Sequence, residues 1–323
     1  MSNNKVPVIL AIGKATQDVF LKSEEFDPHQ EGTVAYTHLP LGAKLDLDEV
    51  VFATGGNATN AATTFARQGL HSRFMWVLGT DPASQAILGE LDSEGVDTAL
   101  VVQSSEFRAS YSSILLANNG ERTILNFHGT MVDSTGSPLD LAAIAEADWI
   151  YISSLGSMEL LEKIVSFAAE HQTKIMFNPA GSELAHADKL KAILEDVDVL
   201  ALNKEEMQQL VTGATSEELV RRGTLLCPVV IVSDGPNGVV ATDGKSIVSA
   251  GMYEDVPVVD RTGAGDAFGS GFLSQWSQGT SLEDAIVFAS ANSTSVVGCI
   301  GAKAGILHAG TELHAMPIEV KAF

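Results

Sequence analysis

The residues with the clearest chemical potential lie between 258 and 273. The run V-V-D-R-T-G-A-G-D ends at Asp266, and A-F-G-S-G-F-L after it has the pattern of a buried helix start. Gly263 and Gly265 remove side chains that would hold an anion away from backbone N–H groups, and the first turn of the helix adds unpaired donors and a favourable dipole. A carboxylate at the mouth of such an anion hole repels a phosphate unless it has a task, such as taking a proton from an attacking hydroxyl. The same residues also read as a tight turn with Asp266 as a helix cap. A second polar group is G-G-N-A-T-N-A-A at 55–62. Gly55 and Gly56 let backbone approach a bound polyol, while Asn57 and Asn60 present amides. Either asparagine also fits a helix cap, Asn57 the more readily. Asp18 follows an apolar run, where a carboxylate can accept hydrogen bonds from sugar hydroxyls or stand as a solvated loop residue.

These groups need elements to hold them, and the pattern is that of an α/β protein. Apolar runs at 8–12, 74–78, 148–153, 175–178, 197–202 and 228–232 read as strands, several of them central. Helical patterns follow at 61–69, where Gly69 marks an end, and at 87–92, 158–171 and 282–297. The helix at 158–171 gives Leu160, Leu161, Ile164, Val165 and Ala168 one apolar face. Asp81 is expected to be structural, and Lys245 to lie in a hairpin turn. Residues 21–50 are polar and interrupted by Pro28, Gly32, Pro40 and Gly42, long for a link inside an α/β unit. Residues 107–127 read as two strands joined at Asn119-Gly120. Asn203 and Glu206, spaced N-x-x-E after a strand, fit a capping box and can share one face of a helical turn.

D-R-T-G-A-G-D resembles the C-terminal signature of the ribokinase-like (PfkB) family of carbohydrate and nucleoside kinases. G-G-N-A-T-N-A-A resembles that family's N-terminal signature, in the right order and at a suitable distance. The resemblance runs from about Ile9 to Gly301-Ala302. It implies a single α/β domain over 1–323 with a mostly parallel central sheet flanked by helices. It also implies a small β-strand lid made of two insertions, about 14–50 and 100–130. The implied reaction moves the γ-phosphate of ATP to a primary hydroxyl of a sugar or sugar derivative, with a nucleoside as the alternative acceptor. Asp266 is then the base, and the N–H groups of Ala264, Gly265 and Asp266 receive the transferred phosphoryl. Asp18, Gly55, Gly56, Asn57 and Asn60 bind the acceptor. Asn203, Ser233, Gly235, Gly238, Gly265, Ser290, Gly301 and Ala302 bind the nucleotide, the last two closing over adenine. Glu206 would hold Mg²⁺ through water, and Asp260 with Thr262 a monovalent cation such as K⁺. Two positions depart from ribokinases proper: Asn57 stands where they carry lysine, and Gly156 where they carry a sugar-binding glutamate.

Composition limits the alternatives. The 323 residues carry 41 acidic and 19 basic side chains, a formal charge of −22. Such a surface repels nucleic acid and anionic membrane, so a phosphate must be met by local donors or a metal. Cys227 and Cys299 lack metal-ligand spacing. With no membrane-length apolar run, a cytoplasmic protein with a small-molecule substrate is expected, and the resemblance adds a homodimer formed through the lid. There is no G-x-x-x-x-G-K-[ST] of P-loop kinases, no H-R-D or D-F-G set, and no Rossmann glycine fingerprint after the first strand.

Overall fold

The apolar runs form a nine-stranded sheet. In the computed structural model, residues 5–32, 34–119, 121–132, 137–153, 155–251 and 256–323 are described. The chain begins with β1 (Val8–Gly13) and β2 (Thr16–Lys22), then a short ribbon of β3 (His29–Glu31) and β4 (Val34–Tyr36), and returns through β5 (Glu49–Gly55). Helix α1 (Asn57–Arg67) leads to β6 (His71–Met75), β7 (Val77–Leu78) and α2 (Pro82–Ser93), followed by β8 (Val102–Gln103), β9 (Ser110–Leu116) and β10 (Arg122–Phe127). The second half alternates: β11 (Trp149–Ser153), α3 (Met158–Glu170), β12 (Lys174–Asn178), α4 (Gly181–Leu184), α5 (Ala187–Ile193), β13 (Val199–Asn203). It continues through α6 (Lys204–Leu210), α7 (Ser216–Gly223) and β14 (Val229–Ser233). The hairpin β15 (Val239–Thr242) and β16 (Ser246–Ala250), then α8 (Ala264–Trp276), α9 (Leu282–Val297) and β17 (Ile318–Ala322), complete it.

The large sheet runs β17-β16-β15-β14-β13-β12-β11-β1-β6, parallel from β14 to β6 and antiparallel at the other edge. All of β11 and nearly all of β1 are buried, as expected of parallel strands covered on both faces. Helix α3 buries the five expected apolar residues, and the Ser157 hydroxyl caps it by accepting from Leu160 N–H. Helix α1 ends at Gly69 as expected, with Gly69 N–H bonded to the Ala66 carbonyl and Leu70 N–H to that of Phe65. Asp81 caps α2 through Ser84 N–H, and Lys245 lies between β15 and β16.

A second sheet has the order β10-β9-β2-β5. Its β2 and β9 run parallel, and each has an antiparallel outer neighbour. The polar excursion at 21–50 is thus the outward journey to β5, which delivers the chain to Gly55. Four details differ from the sequence reading. Asp18 lies within β2 rather than in a loop. The run at 74–78 splits, because β7 leaves the main sheet to pair with β8. Phe107 packs on the main core instead of opening the hairpin, and β17 adds an edge strand that the sequence pattern did not suggest. Gly120 of the expected turn lies outside the described residues; Asn119 accepts from Glu121 N–H.

Candidate active site

Helix α8 begins at Ala264, so Asp266 is in its first turn and Gly263 is the cap. The capping role considered for Asp266 is therefore overturned. Gly263 has φ +77°, and a Cβ there would collide with Ala302, so only glycine makes this turn. Ala264 N–H makes a long 3.4 Å bond to the Arg261 carbonyl. Among the described residues, Gly265 and Asp266 N–H have no partner, which leaves two donors at the head of a thirteen-residue helix. The Asp266 carboxylate is buried, and Asn60 Nδ2 donates to its Oδ2 at 2.9 Å. Burial pushes its pKa up to about 6, against the pull of the Asn60 bond. Such a carboxylate is a base poised near neutrality.

Asn60 joins this base to the acceptor side. It is buried, and its Oδ1 has no hydrogen-bond partner among the described residues. A buried amide oxygen aimed beside the base is an acceptor waiting for a hydroxyl. One helical turn before it, Gly56 has φ +97°, and a Cβ there would meet the Lys14 carbonyl at 2.5 Å. Gly55 leaves room for the Asp18 carboxylate, which a Cβ would strike. Asp18 pairs in register with Ser112, and Ser112 with Asn126, giving a polar row across the small sheet. Burial raises the Asp18 pKa, while the Ser112 hydrogen bond and the charge of Lys303 pull it down. Asn57 is the first residue of α1, half-buried, and caps nothing. The residues 18, 55, 56, 60 and 266 thus form one connected set.

On the other side of Gly265 lies a cavity of about 220 Å³. Ser233, Gly235, Gly238, Ala264, Gly265 and Ser290 line it, together with Val239, Phe268 and Val297. The Ser290 hydroxyl is buried without a partner among the described residues. Asn292, by contrast, is committed to the Ala267 carbonyl and to Leu307 N–H. Gly301 and Ala302 do not line this cavity, contrary to expectation. Gly301 N–H donates to Asp260 Oδ2, and Ala302 is wedged behind Gly263, so both brace the anion-hole turn. Asn203 and Glu206 form a reciprocal capping box at α6, outside the cavity lining. Burial raises the Glu206 pKa against those bonds. Asp260 accepts from Thr262 N–H and hydroxyl and from Gly301 N–H, with the Arg122 guanidinium of β10 at 4.0 Å.

Four residues here escaped the sequence reading. Arg261 lines the cavity, and as the one cation of the glycine-rich turn it could have been picked out. Lys303 is buried beneath the small sheet, donating to Thr54 Oγ1 at 2.5 Å with Glu90 at 3.7 Å; burial lowers its pKa to about 8. Glu183 reaches from α4 to accept from Gly156 N–H, Ala180 N–H and the Ser182 hydroxyl. A carboxylate therefore does stand at Gly156, although no residue near 156 in sequence supplies it. Lys14, between β1 and β2, is the fourth.

A buried carboxylate beside free helix-terminal N–H groups, with a cavity on one side and a polar row with the unpartnered Asn60 oxygen on the other, suits a phosphotransferase with an alcohol as acceptor. Residues 9–309 match the pattern of the family described as pfkB family carbohydrate kinase, and the chain belongs to that family. It is 26% identical over 266 residues to a ribokinase of Haemophilus influenzae, covering 79% of this chain and 84% of that protein. It is 28% identical over 256 residues to a 2-dehydro-3-deoxygluconokinase of the same organism, covering 71% and 81%. Its fold matches the structure of Arabidopsis thaliana ribokinase complexed with ribose and ATP at TM-score 0.77, with 20% identity, over 94% and 96% of the two chains. The chain is an ATP-dependent kinase of this family, acting on a hydroxyl of a sugar or nucleoside. Among the described residues no helix is long and apolar enough to cross a membrane.

Proposed function

We propose that the acceptor is a free sugar or sugar derivative, phosphorylated at a primary hydroxyl. The observation that carries this reading is the unpartnered Asn60 Oδ1 beside Asp266, with Asp18, Ser112 and Asn126 in one polar row. Asp266 removes the hydroxyl proton as that oxygen bonds to the γ-phosphorus, and the bond from the γ-phosphorus to the bridging oxygen breaks to leave ADP. The N–H groups of Gly265 and Asp266 meet the charge on the moving phosphoryl. The nucleotide lies along the cavity lined by Ser233, Gly235, Gly238 and Ser290, where the orphaned Ser290 hydroxyl suits a polar edge of the base. The small sheet acts as a lid within a single domain, excluding water as a competing acceptor.

Glu206 would hold a hydrated Mg²⁺ through the one oxygen the capping box leaves: Oε2 accepts from Asn203 N–H, and a magnesium ion that keeps its waters needs only an outer contact. When bound, the metal would neutralise phosphate charge. Asp260 fits a monovalent cation poorly as a direct ligand, since three protein donors and a nearby guanidinium already serve its carboxylate. The exposed Phe52, Leu125 and Phe127 of the small sheet support pairing of two copies through it.

The test is Asp266→Asn, which keeps shape while removing the base. We expect kcat to fall ~10²–10⁴-fold with little change in ATP affinity. Near-normal turnover would remove Asp266 from this role.

A further inference from the structure

Lys14 follows β1 at the C-terminal edge of the parallel sheet, where α/β sheets bind ligands. Its carbonyl lies behind Gly56, and its ammonium lies beside Gly156: a Cβ on Gly156 would meet Lys14 Nζ at 3.0 Å and Met131 at 2.6 Å. The absent side chain at 156 therefore gives the lysine its space. Lys14 makes no hydrogen bond or ion pair with any described residue. Burial lowers its pKa, which the charge of Glu183 opposes. Glu183 has already accepted three protein hydrogen bonds and is 1% exposed, so it balances the ammonium only through space. Beyond Gly156 and Met131 opens a cavity of about 320 Å³, lined also by His186, Lys189 and Glu159.

An ammonium taken partly out of water without a partner is costly, and an anion on the substrate would offset that cost. A phosphate, with two charges and three oxygens, is met by several N–H donors or a guanidinium. A single ammonium with no guanidinium or free N–H group beside it is enough for a carboxylate, with one charge and two oxygens. We propose that Lys14 recognises a carboxylate on the acceptor, so that the substrate is a sugar acid whose primary hydroxyl lies at Asp266 and whose carboxylate lies at Lys14. This rests on the sugar-kinase reading above.

The experiment compares kcat/KM, by ADP release, for six-carbon sugar acids and the neutral sugars that carry CH₂OH or CHO in place of the carboxylate. The wild-type enzyme, Lys14→Met and Lys14→Arg are each measured, with folding checked by thermal denaturation. The wild type should favour the acid at least ~10-fold; Lys14→Met should lose most of that preference through KM, and Lys14→Arg should keep it, as expected for a charge-assisted bond. Equal use of neutral sugars, or an unchanged preference in Lys14→Met, overturns the role of Lys14 and leaves the sugar kinase standing. Preference for a phosphorylated sugar overturns the choice of carboxylate. Turnover of nucleosides alone, or of no sugar, overturns both readings together.

Discussion

A carboxylate that is buried must be costly to the fold, and Asp266 allows that cost to be measured. Its pKa is about 6 in the folded protein and near the ordinary aspartate value when unfolded, so the folded state binds the proton more tightly. Its contribution to stability is present in full below the unfolded value and is lost as pH rises through about 6. Two units correspond to about 3 kcal/mol. We therefore expect Asp266→Asn, which keeps the bond to Asn60, to gain about 2 kcal/mol relative to wild type between pH 4.5 and pH 8, the remaining ~1 kcal/mol having been lost already below pH 4.5. Denaturant titrations at the two pH values measure this, and a difference independent of pH would contradict it. Activity carries the opposite sign, because a base works only when deprotonated: kcat/KM should fall about tenfold per unit below pH 6. The glycines and Asp266 were legible in sequence because their spacing is itself the anion hole. Glu183 was not, because its carboxylate arrives from another element, and Lys303 was not, because a lysine in a sequence reads as surface until its burial is seen.

At the scale of elements, the capping box at α6 separates two roles that share one residue. Asn203 Oδ1 accepts from Glu206 N–H, and Glu206 Oε2 accepts from Asn203 N–H, each at 2.9 Å. A glutamine at 206 can still accept that bond but brings no charge to a hydrated metal. Glu206→Gln should leave the melting temperature within a few degrees while raising the Mg²⁺ needed for half-maximal rate several-fold. Asn203→Ala should instead cost about 1 kcal/mol of stability, since it leaves Glu206 N–H uncapped. An unchanged Mg²⁺ titration in Glu206→Gln would leave the box a purely structural device. The elements themselves were legible unequally, for a physical reason. Parallel strands such as β11 and β14 are apolar on both faces and announce themselves as continuous runs. Strands β5 and β17 are largely exposed, so their residues carry no comparable signal. Strand β10, exposed along its whole length, was legible through the Asn119-Gly120 signal between it and β9. The helix α9 spans 282–297 as expected, because its small apolar residues are buried against α8 and its neighbours.

For the whole molecule, the net charge of −22 offers an anionic nucleotide no general attraction, so binding must rely on local donors, for which the N–H groups at the head of α8 and Arg261 are at hand. The same reasoning extends to the acceptor. A nucleoside needs an apolar plane for its base, and the small sheet has two aromatics in register, Tyr111 and Phe127. Each is one residue away from Ser112 and Asn126, and successive strand residues point to opposite faces. The pair thus stands on the face opposite to Asp18, while Phe107 is spent on the main core. What meets Asp18 is the polar row, suited to hydroxyls. Ribose is disfavoured as well, since the carboxylate beside Gly156 comes from Glu183, whose lone pairs already serve three protein donors. Losing a charged partner of that kind forfeits ~1.5–3 kcal/mol. Steady-state kinetics on a matched panel should rank a hexose or modified sugar above ribose, and above adenosine, cytidine and uridine. A nucleoside with kcat/KM ~100-fold above the best sugar, roughly 2.7 kcal/mol of transition-state binding, would mean that a base stacks on this face after all, where Phe20 is the aromatic on the same side of β2 as Asp18, and the nucleoside reading would replace the sugar one.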